Sequence, residues 1–75
     1  MRALIETSAD LGRFVQRIRA DAGLTQGQLA EALGTTQRYL SELEAGKPKR
    51  IDARYFELLR KLGIALSAET RADHD

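Results

Sequence analysis

An all-α domain closed by one short β-strand is the architecture this chain predicts, and three observations carry it. Apolar residues recur at helical spacing in separate segments between residues 8 and 62. The segments open on Ser, Thr or Asp and stop at a glycine, the order in which helices are capped and ended. Beyond Gly63 the apolar period falls from about 3.6 to about 2, the alternation of a strand.

The first helix opens at Ser8-Ala9-Asp10, and Leu11, Val15, Ile18 and Ala22 share one face with Phe14. Thr7 with Asp10 resembles a capping box, and Ser8 is an equally good N-cap. Gly23 ends it. Gly12, inside it, costs ~1 kcal/mol against alanine. That glycine either admits another backbone closely or is merely tolerated in the first turn. In the second helix Thr25 is the N-cap with Gln28 as its box partner, Leu29, Ala30 and Leu33 face inward, and Gly34 is the stop. Thr36 caps a third helix, with Leu40 and Leu43 inward and Gly46 after it. Two short helices joined through a glycine are a helix-turn-helix signature. Gly46-Lys47-Pro48-Lys49-Arg50 is a basic turn in which Pro48 forbids helix.

Asp52 caps a fourth helix, whose stripe is Tyr55, Phe56, Leu58, Leu59 and Leu62, and Gly63 closes it. Ile64, Leu66 and Ala68 then alternate with Ala65, Ser67 and Glu69. A lone strand leaves its backbone groups unpaired. It must pair with its copy in a second chain, with residues 2–6, or with a partner protein. The chain therefore divides into an arm (1–7), a helical domain (8–63), a strand (64–69) and a flexible tail (70–75).

A chain of 75 residues buries only about 60% of its unfolded surface, so its stability is marginal. With no cysteine it has neither disulfides nor thiolate metal sites, and dimerisation remains as a staple. No apolar run approaches the ~20 residues of a membrane span or the core of a signal peptide, so a cytoplasmic protein is expected. The formal charge of +1 hides an asymmetry. Residues 65–75 hold Glu69, Asp73 and Asp75 against Arg71, leaving eleven basic and eight acidic residues, net +3, in the body. That suits an anionic partner. An enzyme is not expected. His74 is the only histidine, Glu42 and Glu44 point to different faces of a helix, and there is no phosphate loop. No cofactor or metal is implied.

Gly23-Leu24-Thr25-Gln26, then Leu29-Ala30, Gly34, Leu40-Ser41-Glu42-Leu43-Glu44 and Gly46-Lys47, resembles the Xre/Cro-type helix-turn-helix of lambdoid phage repressors and many bacterial regulators. The likeness runs from about residue 10 to residue 63. It implies a lambda-repressor-like fold and sequence-specific binding of double-stranded DNA. The third helix would be the recognition helix, its N-terminal end entering the major groove. Gln37 can then bond adenine N6 and N7 and Arg38 can fork onto guanine O6 and N7, with Ser41, Thr36 and Tyr39 as further base contacts. Gln26, Lys47, Lys49 and Arg50 would meet phosphates, which set affinity rather than sequence choice. Arg13 and Arg17 suit either added contacts or helix solubility. By the same resemblance Gln26 braces Gln37, and Arg19 forms a partly buried ion pair with Glu44.

The sequence departs from that pattern at Thr35, usually Val or Ile, and at Gly27, usually Glu or Ala. The fifth helix of the phage repressors gives way to Gly63-Ile64-Ala65-Leu66. That ending, with the opening Arg19-x-x-x-Gly23-Leu24-Thr25-Gln26, resembles the HipB-like antitoxins. Their strands pair across a two-fold axis, and they repress their own operon and bind a HipA-like Ser/Thr kinase toxin. The expectation is a homodimer joined through Ile64, Leu66 and Ala68 and the fourth helix. It would read an inverted-repeat operator with half-sites about 34–36 Å apart. The alternatives are a free-standing regulator without a toxin and a protein-interaction module with vestigial DNA binding.

Overall fold

The computed structural model describes residues 1–70, in which four helices are formed: α1 (Ser8–Asp21), α2 (Gln26–Leu33), α3 (Gln37–Glu44) and α4 (Ala53–Lys61). Most of the expected flexible tail, with His74, Asp73 and Asp75, lies outside the described residues. Thr7 rather than Ser8 caps α1. Its hydroxyl accepts from the Asp10 amide at 3.0 Å, and the Asp10 carboxylate returns bonds to the amides of Glu6 and Thr7. Those bonds, the one from Glu6 foremost, hold the Asp10 carboxyl below the usual carboxylate range. Thr25 and Gln28 form the same reciprocal box on α2. Thr36 and Asp52 cap α3 and α4.

The α2–α3 turn depends on Gly34, whose φ of 72° is left-handed. Its amide bonds the Glu31 carbonyl and the next amide, of Thr35, bonds the Ala30 carbonyl at 2.9 Å, which ends α2 within one residue. Thr35 and Thr36 are then enough to start α3. The central element is α3, with α1 and α2 both packed on it. Its Leu40 and Leu43 are 0% and 1% exposed and meet Val15, Leu29, Ala30, Leu33, Leu58 and Leu59 in one core. Each such leucine contributes roughly 1.5–3 kcal/mol by its burial.

Gly12 is where α1 meets the end of α3. A Cβ there would stand 2.6 Å from the Leu43 carbonyl oxygen and closer still to that of Glu44. The close-approach reading of that glycine is therefore the right one. At the other end of the same contact, the Ser8 hydroxyl donates to the Gly46 carbonyl at 2.9 Å.

Beyond α4, Ile64 is 8% exposed and belongs to the core of its own chain, its amide bonded to the Leu59 carbonyl at 3.0 Å. Residues 64–70 are neither helix nor strand within the single chain. Leu66, at 49% exposure, and Ala68 face solvent. Among the described residues no helix is long and apolar enough to cross a membrane.

Candidate nucleic-acid interface

The inner face of α3 is consumed by Leu40 and Leu43, so Gln37, Arg38 and Ser41 are left on the outside, all exposed. Gln37 is the first residue of the helix and Arg38 the second. The Gln37 side chain leans over the start of α2, its Oε1 lying 3.5 Å from where a Cβ on Gly27 would sit. The unexpected glycine at 27 thus borders the amide expected to read a base. Arg38 Nε lies 3.5 Å from Glu42 Oε2, and Lys49 Nζ lies 4.0 Å from the same oxygen. Exposed pairs of this kind are worth about 0.2–1 kcal/mol, so both cations are easily surrendered to a stronger anion.

Thr36 is exposed, but its hydroxyl already accepts from the Tyr39 amide at 3.0 Å, the capping bond. Tyr39 departs from the expected base contact. Its ring is half-buried and its hydroxyl is buried, with no hydrogen-bond partner among the described residues. Burial pushes its pKa up, and the charge of Asp52 adds to the shift. Arg54 lies over the ring.

Gln26 also departs from expectation. Its Nε2 donates to Glu44 Oε1 at 3.0 Å, so its side chain braces Glu44 rather than Gln37. Glu44 is the hub at the back of α3. Arg19 donates to it from Nε at 2.7 Å and Nη2 at 2.9 Å, and holds the Leu24 carbonyl with Nη1 at 3.0 Å. The Glu44 side chain is only 4% exposed and that of Arg19 16%. The bidentate bond to Glu44 holds the Arg19 guanidinium above its ordinary pKa. Residues from α1, α2 and α3 are thus fixed by one carboxylate.

Lys47, Lys49 and Arg50 are exposed in the turn after α3. The cation the sequence did not single out is Arg54, near the start of α4, whose Nη2 donates to Thr35 Oγ1 at 3.2 Å. No spacing rule links residue 54 to the turn at 35; only the packing of α4 brings them together. The face as a whole joins an amide and a guanidinium at a helix start to a fringe of cations, an arrangement suited to base edges flanked by phosphates.

A family model described as a helix-turn-helix domain matches residues 10–72. Two curated relatives come from Sinorhizobium fredii (strain NBRC 101917 / NGR234). The uncharacterized HTH-type transcriptional regulator y4mF is 35% identical over 66 residues, covering 88% of this chain and 87% of its own. The similarly described y4dJ is 34% identical over 55 residues, 73% of this chain and 71% of its own. Among solved structures, a HipA-HipB-O2-O3 complex contains a chain with TM-score 0.74 at 21% identity, covering 95% of this chain and 100% of that one. A HipB-O4 20mer complex gives the same TM-score, identity and coverage.

Proposed function

The chain belongs to the helix-turn-helix domain family of transcriptional regulators, and on that premise we propose that it is a sequence-specific DNA-binding repressor which, as the antitoxin of a HipA-like Ser/Thr kinase, controls its own operon in the cytoplasm. The observation that carries the DNA reading is the exposure of Gln37 and Arg38 together at the start of α3, on a helix whose other face is wholly buried. The antitoxin role is supported by the likeness of the fold to HipB chains. Base contacts are assigned to Gln37, Arg38 and Ser41, with Thr36 at the helix cap. Phosphate contacts are assigned to Lys47, Lys49, Arg50 and the start of α2 at Gln26.

Gln37→Ala and Arg38→Ala are each expected to relax discrimination at one base pair by about 1–3 kcal/mol. Competition binding on single-base variants of the operator measures this. Full retention of sequence preference by both variants would reject the base-reading assignment.

The protein is proposed to act as a two-fold dimer, so that two α3 helices reach successive major grooves. Ile64 is engaged in its own core, so the proposed seam starts two residues later, at Leu66 and Ala68, with Leu66 beside the exposed Phe56 of α4. A chain ending at Ala65 keeps that core and is expected to sediment as a monomer. A persistent dimer would place the seam elsewhere.

A second reading, a free-standing regulator without a toxin, draws support from the two curated relatives, both described only as transcriptional regulators. Expressing the native operon and identifying what co-purifies decides between them. A kinase supports the antitoxin, and its absence with intact operator binding supports the free-standing regulator.

A further inference from the structure

We propose that Arg54, on α4, is a contact to a DNA backbone phosphate, held ready by the ring of Tyr39, where α4 meets the recognition helix and the basic turn. The inference rests on the DNA-binding reading and extends it to α4. Arg54 Cζ stands 5.0 Å from the centroid of the Tyr39 ring, within cation–π range. Its Nη2 is tied to Thr35 Oγ1 at 3.2 Å. Tyr39 is in the first turn of α3 and Thr35 lies just before the α3 cap. The guanidinium is therefore fixed at the N-terminal end of the recognition helix, the end that enters the groove.

Around it, Tyr39, Lys49, Arg50, Asp52 and Arg54 line an open cavity of about 310 Å³. Three cations thus share that space with one carboxylate. Asp52 is engaged as the α4 cap, accepting from the Tyr55 amide at 3.2 Å. Among the described residues Lys49 pairs only with the distant Glu42 oxygen, at 4.0 Å. Apart from the bond to Thr35, the donor fork of Arg54 meets no hydrogen-bond acceptor among the described residues. Three like charges gathered around a cavity repel one another, and a phosphodiester entering there offsets that repulsion while offering acceptors to the open donors of Arg54. Tyr39 acts as a positioning residue: its aromatic face holds the guanidinium flat, and its buried hydroxyl is not the donor.

The test uses the full chain with two labelled duplexes, one bearing the inverted repeat the protein selects from a random pool and one of unrelated sequence. Arg54→Gln should weaken binding to both on the order of tenfold and flatten the log–log salt slope by about one. Tyr39→Phe, which keeps the ring, should bind as the wild type does, while Tyr39→Leu should fall with Arg54→Gln. Arg54→Lys keeps the charge without the planar fork, so it should hold the slope and lose affinity several-fold. Neutral methylphosphonates placed one at a time in the selected duplex should reveal one position that matters to the wild type and not to Arg54→Gln. Should Arg54→Gln lose its thermal transition, the Lys and Phe variants carry the comparison. Wild-type affinity and slope for Arg54→Gln would overturn the phosphate contact and leave the DNA reading intact. Equal losses for Tyr39→Phe and Tyr39→Leu would overturn the role of the ring. A wild type that binds neither duplex would overturn both the contact and the DNA reading.

Discussion

Arg19→Ala is expected to lower the free energy of unfolding by about 3–5 kcal/mol, because it strands a carboxylate in the interior. Glu44 is 4% exposed at its side chain and takes three hydrogen bonds, two of them from Arg19. Without that guanidinium only the neutral amide of Gln26 remains to meet the charge. A chain of 75 residues has about 4–11 kcal/mol of stability in all, so the loss takes a large share of it. Urea denaturation followed by circular dichroism measures the change. The double variant Arg19→Met with Glu44→Leu replaces both charges by apolar groups and is expected to recover much of the loss. A single Arg19→Ala variant within 1 kcal/mol of wild type would show that the hub does not hold the three helices together. Weaker DNA binding by Arg19→Ala would follow from unfolding, since Arg19 lies behind α3 and away from the proposed reading face.

Gly12→Ala is the second large effect, and its sign is a contest. Alanine raises helix propensity by ~1 kcal/mol. Against that, its Cβ would come within 2.6 Å of the Leu43 carbonyl oxygen and 2.8 Å of the Glu44 carbonyl carbon, both backbone atoms that cannot turn aside. Overpacking costs about 1–3 kcal/mol, and contacts this short put it at the upper end. The net expectation is a loss of ~2 kcal/mol. Gly27→Ala is the matched control. Its added Cβ meets its nearest neighbour at 3.5 Å, ordinary contact, so propensity wins there and the variant should gain up to ~1 kcal/mol. Thermal melts of the two variants should therefore move in opposite directions. Two shifts of the same sign would show that the α1–α3 approach is not set by Gly12.

The helices were readable because their signals are local. Thr7, Thr25, Thr36 and Asp52 each bond an amide three residues on, and a glycine ends each helix within a turn. The outward placement of Gln37 and Arg38 was readable for the same reason, since Leu40 and Leu43 fix the inward face of α3. What the sequence hid is tertiary. Gln26 has an acceptor at Glu44, eighteen positions away, and the capping pattern around it points elsewhere. Tyr39 sits at a flank, where periodicity leaves the direction of the hydroxyl open; packing turned it inward. Ile64 obeys the alternation of a strand, yet alternation names only a face, and here the face belongs to the core of the same chain. Arg54 carries no local signal, and only the packing of α4 beside the turn at Thr35 gives it a partner.

The division of α3 into a sealed back and an open front has an evolutionary consequence. Gln37, Arg38 and Ser41 hold up none of the core, so a gene duplicate could exchange them freely while keeping its architecture and, on the proposed base-reading assignment, acquire a new target. Glu44, one turn further along, has no such liberty. Retargeting in descendants of this chain would then be written in the front of one eight-residue helix.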